Sequence, residues 1–430
     1  MSDAKLPGQA LSSRTTLARF GLLGALYFSQ GLPYGFFIQA LPVLMRQAGH
    51  SLEQIGFASL LALPWALKFL WAPWVDRLGS RTFGLRRSWI IPLQLTTAAV
   101  LLVAAAFEPG EHFAGIFAVV LIVNALSATQ DIATDGFAVD ILDRRERGVG
   151  NGIQVAGYRL GMVLGGGVIL ISFEQLGWQA SFVLMAAIVV AATLPTWLHR
   201  EQPVLPEPGT DESQGHFLRL PGVWRVLAML FLFKFGDSLA TTMLRPFMVD
   251  HGLGLADVGS MLGTVGFVAG LAGALAGGWL AGHLQRRTAL MFCAFVQAAT
   301  LGIYVLMAMV FPGKTMLAWI IAAEHAGGGM ATAALFTCMM DWCRRGRTGT
   351  DYTVQASTVV IATSLAAALS GVTAHQLGYA GHFALAFALG VIALAAVVIL
   401  FPSTTTFRRD ANPTRLMDVR MAARPDTRAT

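Results

Sequence analysis

The chain alternates long apolar runs with short polar segments along nearly its whole length. Each run is close to the ~20 residues that a helix needs to cross ~30 Å of hydrocarbon. The pattern predicts twelve membrane-spanning helices, at about 17–45, 52–74, 88–107, 113–140, 150–173, 180–198, 222–249, 257–282, 288–311, 316–343, 350–375 and 381–402. We therefore predict an all-α polytopic membrane protein.

The predicted helices fall into two halves of six, covering 17–198 and 222–402. Between them, residues 199–221 are rich in Pro, Gly and acidic side chains, which is typical of a linker. The tails are 1–16 and the basic segment 403–430. No short apolar core with a small-residue cleavage site begins the chain, so we expect the first helix to be retained.

Composition supports a membrane protein. Of the 430 residues, 55% are hydrophobic and 13% are charged, whereas about a quarter of the residues of a typical soluble protein are charged. The three cysteines, Cys293, Cys338 and Cys343, lie in or beside apolar runs without a histidine-rich ligand set. We interpret them as packing residues and expect no metal site.

The arginines predict the orientation of the chain in the membrane, because basic residues concentrate in cytoplasmic loops. They follow every second predicted helix, at Arg77, Arg81, Arg86, Arg87, Arg144, Arg145, Arg147, Arg200, Arg286, Arg287, Arg344, Arg345 and Arg347, and recur in the C-terminal tail. Only Arg46 and Lys314 fall on the opposite side. Both termini and the linker are thus predicted to be cytoplasmic. No basic patch interleaved with aromatic residues appears, so no nucleic-acid partner is expected.

Eight Asp, Glu, Lys and Arg side chains lie at least four residues from either end of a predicted span, where a charge is costly. They are Lys68, Asp131, Asp135, Arg159, Lys234, Asp237, Arg245 and Glu324. Each would cost ~2.5–3.5 kcal/mol unpaired, so such residues are usually paired or hydrated and mark a substrate or ion path. Asp131 and Arg159 both come out ~14 Å from the cytoplasmic end, at ~1.5 Å of rise per residue. We predict that they form an ion pair. Lys68 is a further candidate for a structural ion pair, and it lies with Asp135 somewhat nearer the cytoplasm.

The seventh and tenth predicted helices carry a second group of charges. Lys234 and Thr241 lie on one helical stripe with Asp237 beside it, and Glu324 reaches a similar depth. A carboxylate in a partly dehydrated cavity is more easily protonated. Our hypothesis is therefore that Glu324 and Asp237 carry a proton, with Lys234 nearby. His325, beside Glu324, is either a packing residue or a proton relay.

Glycines recur at helical spacing in the fifth and eighth predicted helices, which allows helix backbones to approach closely. They are Gly157, Gly161, Gly165, Gly263, Gly266, Gly270, Gly273 and Gly277. The pattern predicts tight helix contacts along both of these spans.

Several motifs resemble those of a known transporter family. The loop WVDRLGSR at 74–81 is similar to the gating loop of the major facilitator superfamily, with Asp76, Arg77 and Arg81 in the matching positions, although the glycine expected before Asp76 is absent. The segments KFLWAPWVDR (68–77), QDIATDGFAVDIL (130–142), GYRLGM (157–162), FKFGDS (233–238) and EHAGGGMATAAL (324–335) resemble the AmpG-like branch.

The resemblance implies a transporter of the bacterial inner membrane with twelve helices, in which spans one, four, seven and ten line a central cavity. It implies a small-molecule solute and protons as partners, with membrane lipid around a monomer and no cofactor. The resulting candidates for the substrate and proton pathway are Gln30, Tyr34, Asp131, Asp135, Arg159, Lys234, Asp237, Thr241 and Glu324.

The substrate is a choice between members of that branch. Because the chain ends after twelve predicted spans and begins with QGLPYGFFIQALPVLMRQAG in the first, we expect import of a ferric siderophore. Import of anhydro-muropeptides is the alternative, and a signal transducer without transport is a second one. An enzyme is not expected, because the sequence has no HExxH motif, intramembrane Ser–His pair or nucleotide-binding loop.

Overall fold

The computed structural model describes residues 7–47, 58–80, 82–107, 113–201, 217–344 and 346–402, and nearly all of them are helical. In the first half the helices are α1 Pro7–Gly35, α2 Leu41–Gln47, α3 Leu63–Leu67, α4 Ala72–Arg77, α5 Arg87–Ala105, α6 Phe113–Ile141, α7 Arg147–Val163 and α8 Ile169–Leu198. In the second half they are α9 Val223–Asp250, α10 Leu255–Val258, α11 Gly266–His283, α12 Arg286–Met309, α13 Lys314–Asp341 and α14 Thr348–Leu400. Single π-helical turns join α1 to α2, α7 to α8 and α10 to α11.

Two very long helical segments, Arg147–Leu198 and Thr348–Leu400, each reverse direction at one glycine. Gly177 and Gly378 have φ angles of 81° and 66°, which glycine adopts without a Cβ clash. In an unbroken helix, residues nine apart lie ~13 Å from each other. Ser172 Oγ nevertheless lies 2.9 Å from Ser181 Oγ across the first break. Each segment is therefore a helical hairpin that supplies two passes.

The number of membrane passes is supported in part. Among the described residues, seven helices are long and apolar enough to cross a membrane, and they include both hairpins. The helices α1 and α13, with 29 and 28 residues, are also long enough to cross. The second predicted span begins among residues 48–57, outside the described part of the chain. The total of twelve stays a prediction.

The span predicted at 52–74 is helical but irregular over its described part. From Ala58 to Arg77 the chain forms short α-helical and 3-10 turns. Pro64 and Pro73 each stand in the first turn of a new short helix, because proline lacks the N–H that a continuing helix needs and its ring clashes with the preceding turn. Irregular backbone at membrane depth is tolerated only inside protein or beside a wet cavity. Lys68 lies on one of these turns and is buried.

The glycines confirm tight packing, but most of their contacts lie within one half. A methyl group added at Gly161 would lie 2.2 Å from the backbone oxygen of Phe28 on α1. One at Gly273 would lie 2.0 Å from the backbone oxygen of Ala326 on α13. Between the halves, a methyl group added at Gly148 of α7 would lie 2.1 Å from the backbone oxygen of Gly278 on α11. The sequence pattern had not singled out either glycine.

The two halves also share an apolar core at one end. Ala138 of α6 and Leu142 just after it belong to the same buried cluster as Phe217 of the linker and Met339 and Trp342 of the second half. This end carries Arg86, Arg147 and Arg286 and is called the arginine-rich face. The buried cluster means that the halves are closed against each other there.

Candidate functional site

A cluster of charged side chains lies in the interior of the second half, on α9 and α13. Lys234 Nζ lies 2.6 Å from Asp237 Oδ2, and the i, i+3 spacing on α9 brings them together. Lys234 also donates to the hydroxyl of Thr332 on α13 over 3.2 Å. All three side chains are at least partly buried. The lysine thus joins the two helices as well as neutralising Asp237.

Glu324 of α13 is 2% exposed and has two neighbouring donors. Tyr304 of α12 donates its hydroxyl to Glu324 Oε2 over 3.1 Å, and His325 Nδ1 lies 2.8 Å from the same oxygen. His325 Nδ1 also lies 3.1 Å from the backbone oxygen of Ile321, so this nitrogen carries a proton. Glu324 and Asp237 both border Gly328, where an added Cβ would lie 3.5 Å and 3.8 Å from their nearer oxygens.

Arg159 extends from α7 of the first half into this second-half cluster. A methyl group added at Gly270 of α11 would lie 2.1 Å from Arg159 Nη1, so the missing side chain leaves room for the guanidinium. Arg159 interacts electrostatically with Glu324 and Asp237. The cluster thereby holds two acids and two bases, and one of the bases comes from the opposite half. We call Arg159, Lys234, Asp237 and Glu324 the interhalf cluster.

The predicted ion pair between Asp131 and Arg159 is wrong. Asp131 of α6 pairs with Lys68, and both side chains are buried. Equal depth did not bring Asp131 and Arg159 together, because depth leaves open which way each helix turns its side chain. Arg159 faces α11, whereas Asp131 faces the short turns after Ala58. Lys68 Nζ also lies 5.6 Å from the ring centroid of Trp65. This cation–π contact helps to hold the lysine side chain in place.

Asp135 lies one turn after Asp131 and completes a second charged group. Its Oδ1 accepts a hydrogen bond of 2.8 Å from the hydroxyl of Tyr27 on α1. Asp131 and Asp135 are at i, i+4 on α6, so their carboxyl groups lie on the same face of the helix. We call Lys68, Asp131 and Asp135 the first-half triad. It contains two acids and one base.

The remaining predicted pathway residues are Gln30, Tyr34 and Thr241. Gln30 of α1 is 1% exposed, and neither amide atom has a hydrogen-bond partner among the described residues. The ring of Tyr34 packs against those of Trp65 and Tyr158, with centroids 5.5 Å and 5.7 Å away. Thr241 donates its hydroxyl to the backbone oxygen of Asp237, a bond within its own helix.

Asp76 of the predicted gating loop connects the two halves at the arginine-rich face. Its Oδ2 accepts hydrogen bonds from the backbone N–H and the hydroxyl of Thr350, in the first turn of α14. A carboxylate at this position satisfies free N–H groups and complements the positive end of the helix dipole. Arg77, beside it, is exposed, and Arg81 lies outside the described residues. Of the two loop residues that the structure describes, Asp76 therefore makes the contact between the halves.

Arg86 supports Asp76 from inside the first half. Its guanidinium is 1% exposed and lies 2.6 Å from Asp76 Oδ1 and 3.1 Å from Asp140 Oδ2. It also donates to the hydroxyl of Thr348 over 2.7 Å, which adds a second link to α14. Burial by itself lowers the pKa of Arg86, but Asp76 and Asp140 outweigh it and raise the pKa above its usual value. The guanidinium is therefore charged. We call Asp76, Arg86, Asp140, Thr348 and Thr350 the first latch.

A related arrangement occurs in the second half. Asp341, the last residue of α13, pairs with Arg286 at the start of α12 over 2.7 Å. It also pairs with Arg147, at the start of α7 in the first half, over 2.8 Å. Arg86 and Asp140 occupy the corresponding ends of α5 and α6. We call Asp341, Arg286 and Arg147 the second latch. The two latches together close the arginine-rich face.

Sequence reasoning missed the roles of Arg86, Asp140 and Asp341. In the sequence, Arg86 indicates only topology, and Asp140 and Asp341 belong to none of the predicted sites. The available signal was an internal repeat: an arginine just before or at the start of the third and ninth helices, with an aspartate at the end of the fourth and tenth. The sequence does not show that these ends meet across the two halves.

Two helical halves, charged groups buried between them and ion pairs closing one end define a membrane transporter. Residues 23–350 match the sequence profile of the Major Facilitator Superfamily. The chain belongs to this superfamily, and within it to the AmpG-like branch. It is 31% identical over 342 residues to the anhydromuropeptide permease of Escherichia coli K12, which covers 78% of this chain and 70% of that one. It is 25% identical over 388 residues to putative transporter AmpG 4 of Rickettsia felis, covering 86% and 92% of the two chains.

Solved structures share the fold at low sequence identity. A bacterial homologue of the iron transporter ferroportin has a TM-score of 0.67 at 16% identity, with 89% of this chain and 98% of that one covered. The fucose:proton symporter of E. coli has a TM-score of 0.66 at 16% identity, with 89% and 97% covered. The predicted all-α major facilitator fold is confirmed. The expectation of a siderophore substrate has no specific support from these relatives, whereas the muropeptide alternative does.

Proposed function

We propose that this protein imports anhydro-muropeptides across the bacterial inner membrane, driven by the proton gradient. The observation that carries the proposal is the likeness to the E. coli anhydromuropeptide permease, at 31% identity over 78% of the chain. This similarity supports a muropeptide substrate more strongly than the features that predicted a ferric siderophore, which were the predicted chain organisation and the sequence of the first span.

The chemistry of the interhalf cluster fits such a solute. A muropeptide joins sugar to a short peptide and therefore offers hydroxyl, amide and carboxylate groups. Arg159 and Lys234 supply cations that bind carboxylates, and guanidinium is suited to bidentate contact. Asp237 and Glu324 accept hydrogen bonds from hydroxyl and amino groups. Both signs of charge are needed for a solute that carries both donors and acidic groups.

The position of Arg159 suggests how binding acts on the transport cycle. Arg159 belongs to the first half, while its neighbours Glu324 and Asp237 belong to the second. A solute that replaces these contacts changes the interaction between the halves at the cluster. It therefore biases the equilibrium between the closed and open forms of the arginine-rich face, provided that it binds the two forms unequally. This is the behaviour required of an alternating-access transporter.

Uptake into membrane vesicles tests the proposal directly. Vesicles that contain the protein are given labelled anhydro-muropeptide or a labelled ferric siderophore, with an imposed pH gradient, acid outside. We expect accumulation of the muropeptide, collapse of this accumulation by a protonophore, and no accumulation of the siderophore. Siderophore uptake without muropeptide uptake would reverse the assignment, and uptake unaffected by the protonophore would remove the proton gradient as the driving force.

Variants of the cluster refine the test. A hydrogen bond to a charged group contributes ~1.5–3 kcal/mol, so Arg159→Gln is expected to raise KM by about tenfold to about a hundredfold. Lys314→Gln is the matched control, because Lys314 is 62% exposed and pairs with Asp257 away from the cluster. An equal effect of the two substitutions would show that Arg159 does not contact the solute.

A further inference from the structure

The first-half triad differs from the interhalf cluster in its balance of charge. In the interhalf cluster, Asp237 and Glu324 are matched by Lys234 and Arg159. In the triad, Asp131 and Asp135 share Lys68 alone. If every acid were ionised, the triad would therefore hold one uncompensated negative charge. An unpaired charge in a protein interior is costly, and such a group neutralises itself by taking up a proton.

Among the described residues around Asp135, no second cation is left over to balance it. The charged or titratable groups that interact with it are Lys68, Asp131, Tyr27 of α1, Tyr158 of α7 and Tyr352 of α14. Arg86 lies against Gly136, but its charge is already engaged by Asp76 and Asp140. The tyrosines supply hydroxyl groups and no positive charge.

Hydrogen-bond geometry agrees with the charge count. Two ionised carboxylates at i, i+4 on one helix repel each other, which favours a single proton held by the pair. Lys68 is bonded to Asp131 Oδ2, which favours the ionised form of Asp131. Tyr27 occupies Asp135 Oδ1 as a donor. The remaining oxygen, Asp135 Oδ2, is therefore the position for the proton.

We propose that the Asp131–Asp135 pair holds one proton, on Asp135, and that this is the proton which the transporter carries. The inference rests on the proposed proton-driven import and names the group that performs it. A proton from water on the side opposite the arginine-rich face binds Asp135 Oδ2. It leaves to water at the arginine-rich face when that face opens, and only this O–H bond forms and breaks. The sequence had suggested Glu324 and Asp237 for the role, but Asp237 is bonded to Lys234. Glu324 has the donors Tyr304 and His325 beside it and Arg159 within electrostatic range.

The first latch supplies a route for coupling proton release to opening. Tyr352 interacts with Asp135 and lies two residues after Thr350, which is bonded to Asp76. Both residues belong to the same turn of α14. When Asp76 releases Thr350 and the start of α14 moves away, Tyr352 moves with it. Asp135 is then uncovered toward the arginine-rich face, where water can accept its proton.

Infrared spectroscopy of the purified full chain, without any solute, measures the proton itself. A protonated carboxyl group has a C=O band that a carboxylate lacks. We expect the wild type at pH 7 to show a band that Asp135→Asn removes and that Glu324→Gln, the matched control, retains. Asp131→Asn should also remove it, because Lys68 then neutralises an ionised Asp135. Lys68→Gln should strengthen it, because two acids remain without a cation. Asparagine has the shape of a protonated aspartic acid, so Asp135→Asn is expected to fold.

Transport gives an independent readout. In proteoliposomes, Asp135→Asn should lose accumulation driven by a pH gradient while it still exchanges labelled for unlabelled solute. If Glu324→Gln gives this result and Asp135→Asn keeps the infrared band, the proton belongs to Glu324 and the proposal is overturned. If the wild type transports no muropeptide, the proposed function fails, whereas the infrared comparison still decides which group is protonated.

Discussion

The carboxylate of Asp76, at the end of α4, caps the first turn of α14 in the opposite half: the backbone N–H of Thr350 donates to Asp76 Oδ2 over 2.6 Å. The hydroxyl of the same threonine reaches the same oxygen. One loop residue of the first half thus holds the start of a long hairpin of the second half. This contact, with Arg86 behind it, closes the arginine-rich face.

Removing the charge of Asp76 should favour opening of this face. Asp76→Asn weakens bonds that contribute ~1.5–3 kcal/mol each, which corresponds to a shift in the equilibrium of about tenfold or more. Cys343 lies between α13 and α14, five residues before α14 begins, and its thiol donates to the backbone oxygen of Met339 on α13. Its reactivity therefore reports on opening of this face. In a variant with Cys293 and Cys338 replaced by alanine, maleimide should label Cys343 faster after Asp76→Asn. An unchanged rate would mean that Asp76 does not hold the face closed.

The buried ion pairs of the second latch should contribute more to the stability of the protein than its exposed ion pair does. Asp341→Asn leaves Arg147 and Arg286 without their acid, and breaking a buried pair in this way costs about 3–5 kcal/mol. Arg144 also lies 3.5 Å from Asp341 but is 57% exposed, so Arg144→Ala should change stability by ~0–1 kcal/mol. Thermal unfolding in detergent compares the two. Equal shifts in Tm would contradict the assignment of Arg147 and Arg286 as the principal partners.

Contact between the halves at Gly148 can be tested with a single methyl group. In Gly148→Ala the new Cβ would lie 2.1 Å from the backbone oxygen of Gly278, so α7 and α11 must move apart. Overpacking of this kind costs ~1–3 kcal/mol, and here it should favour the open face and slow import. Gly167→Ala is the control, because nothing lies within 4 Å of its added methyl. Similar import rates for both variants would show that the close approach is unimportant.

A double-mutant cycle distinguishes the observed ion pair from the one that depth suggested. Lys68→Met and Asp131→Asn should be coupled by ~0.5–3 kcal/mol in unfolding free energy, because the residues are in contact. Asp131→Asn and Arg159→Gln should instead add within ~0.5 kcal/mol. The opposite pattern would restore the pairing of Asp131 with Arg159.

Orientation in the membrane remains a prediction from the arginines. Alkaline phosphatase is active only outside the cytoplasm, so fusions after Arg200 or Arg428 should be inactive and a fusion after Lys314 should be active. This result would make the arginine-rich face cytoplasmic and the latches a cytoplasmic gate. Activity in the reverse order would invert the orientation of the chain.

The sequence predicted much of this fold because single helices in a membrane obey local rules. The length of each apolar run sets the length of a helix, so α5, α6, α9 and α12 lie close to their predicted bounds. Pro64 and Pro73 were equally visible, and they explain why the second span is irregular. The buried charges were also found in advance, since any charge inside an apolar run is conspicuous whatever surrounds it.

The sequence by itself determined which residues lie in the membrane and which of them are charged. Only the tertiary structure decided their partners. Rise per residue gives depth along a helix axis, but the rotation of the helix and its choice of neighbour come from packing against other helices. For this reason Asp131 lies against Lys68, Arg159 reaches the second half, and Arg86 joins Asp76 to α14. These three contacts depend on residues far apart in the chain, which no local pattern relates.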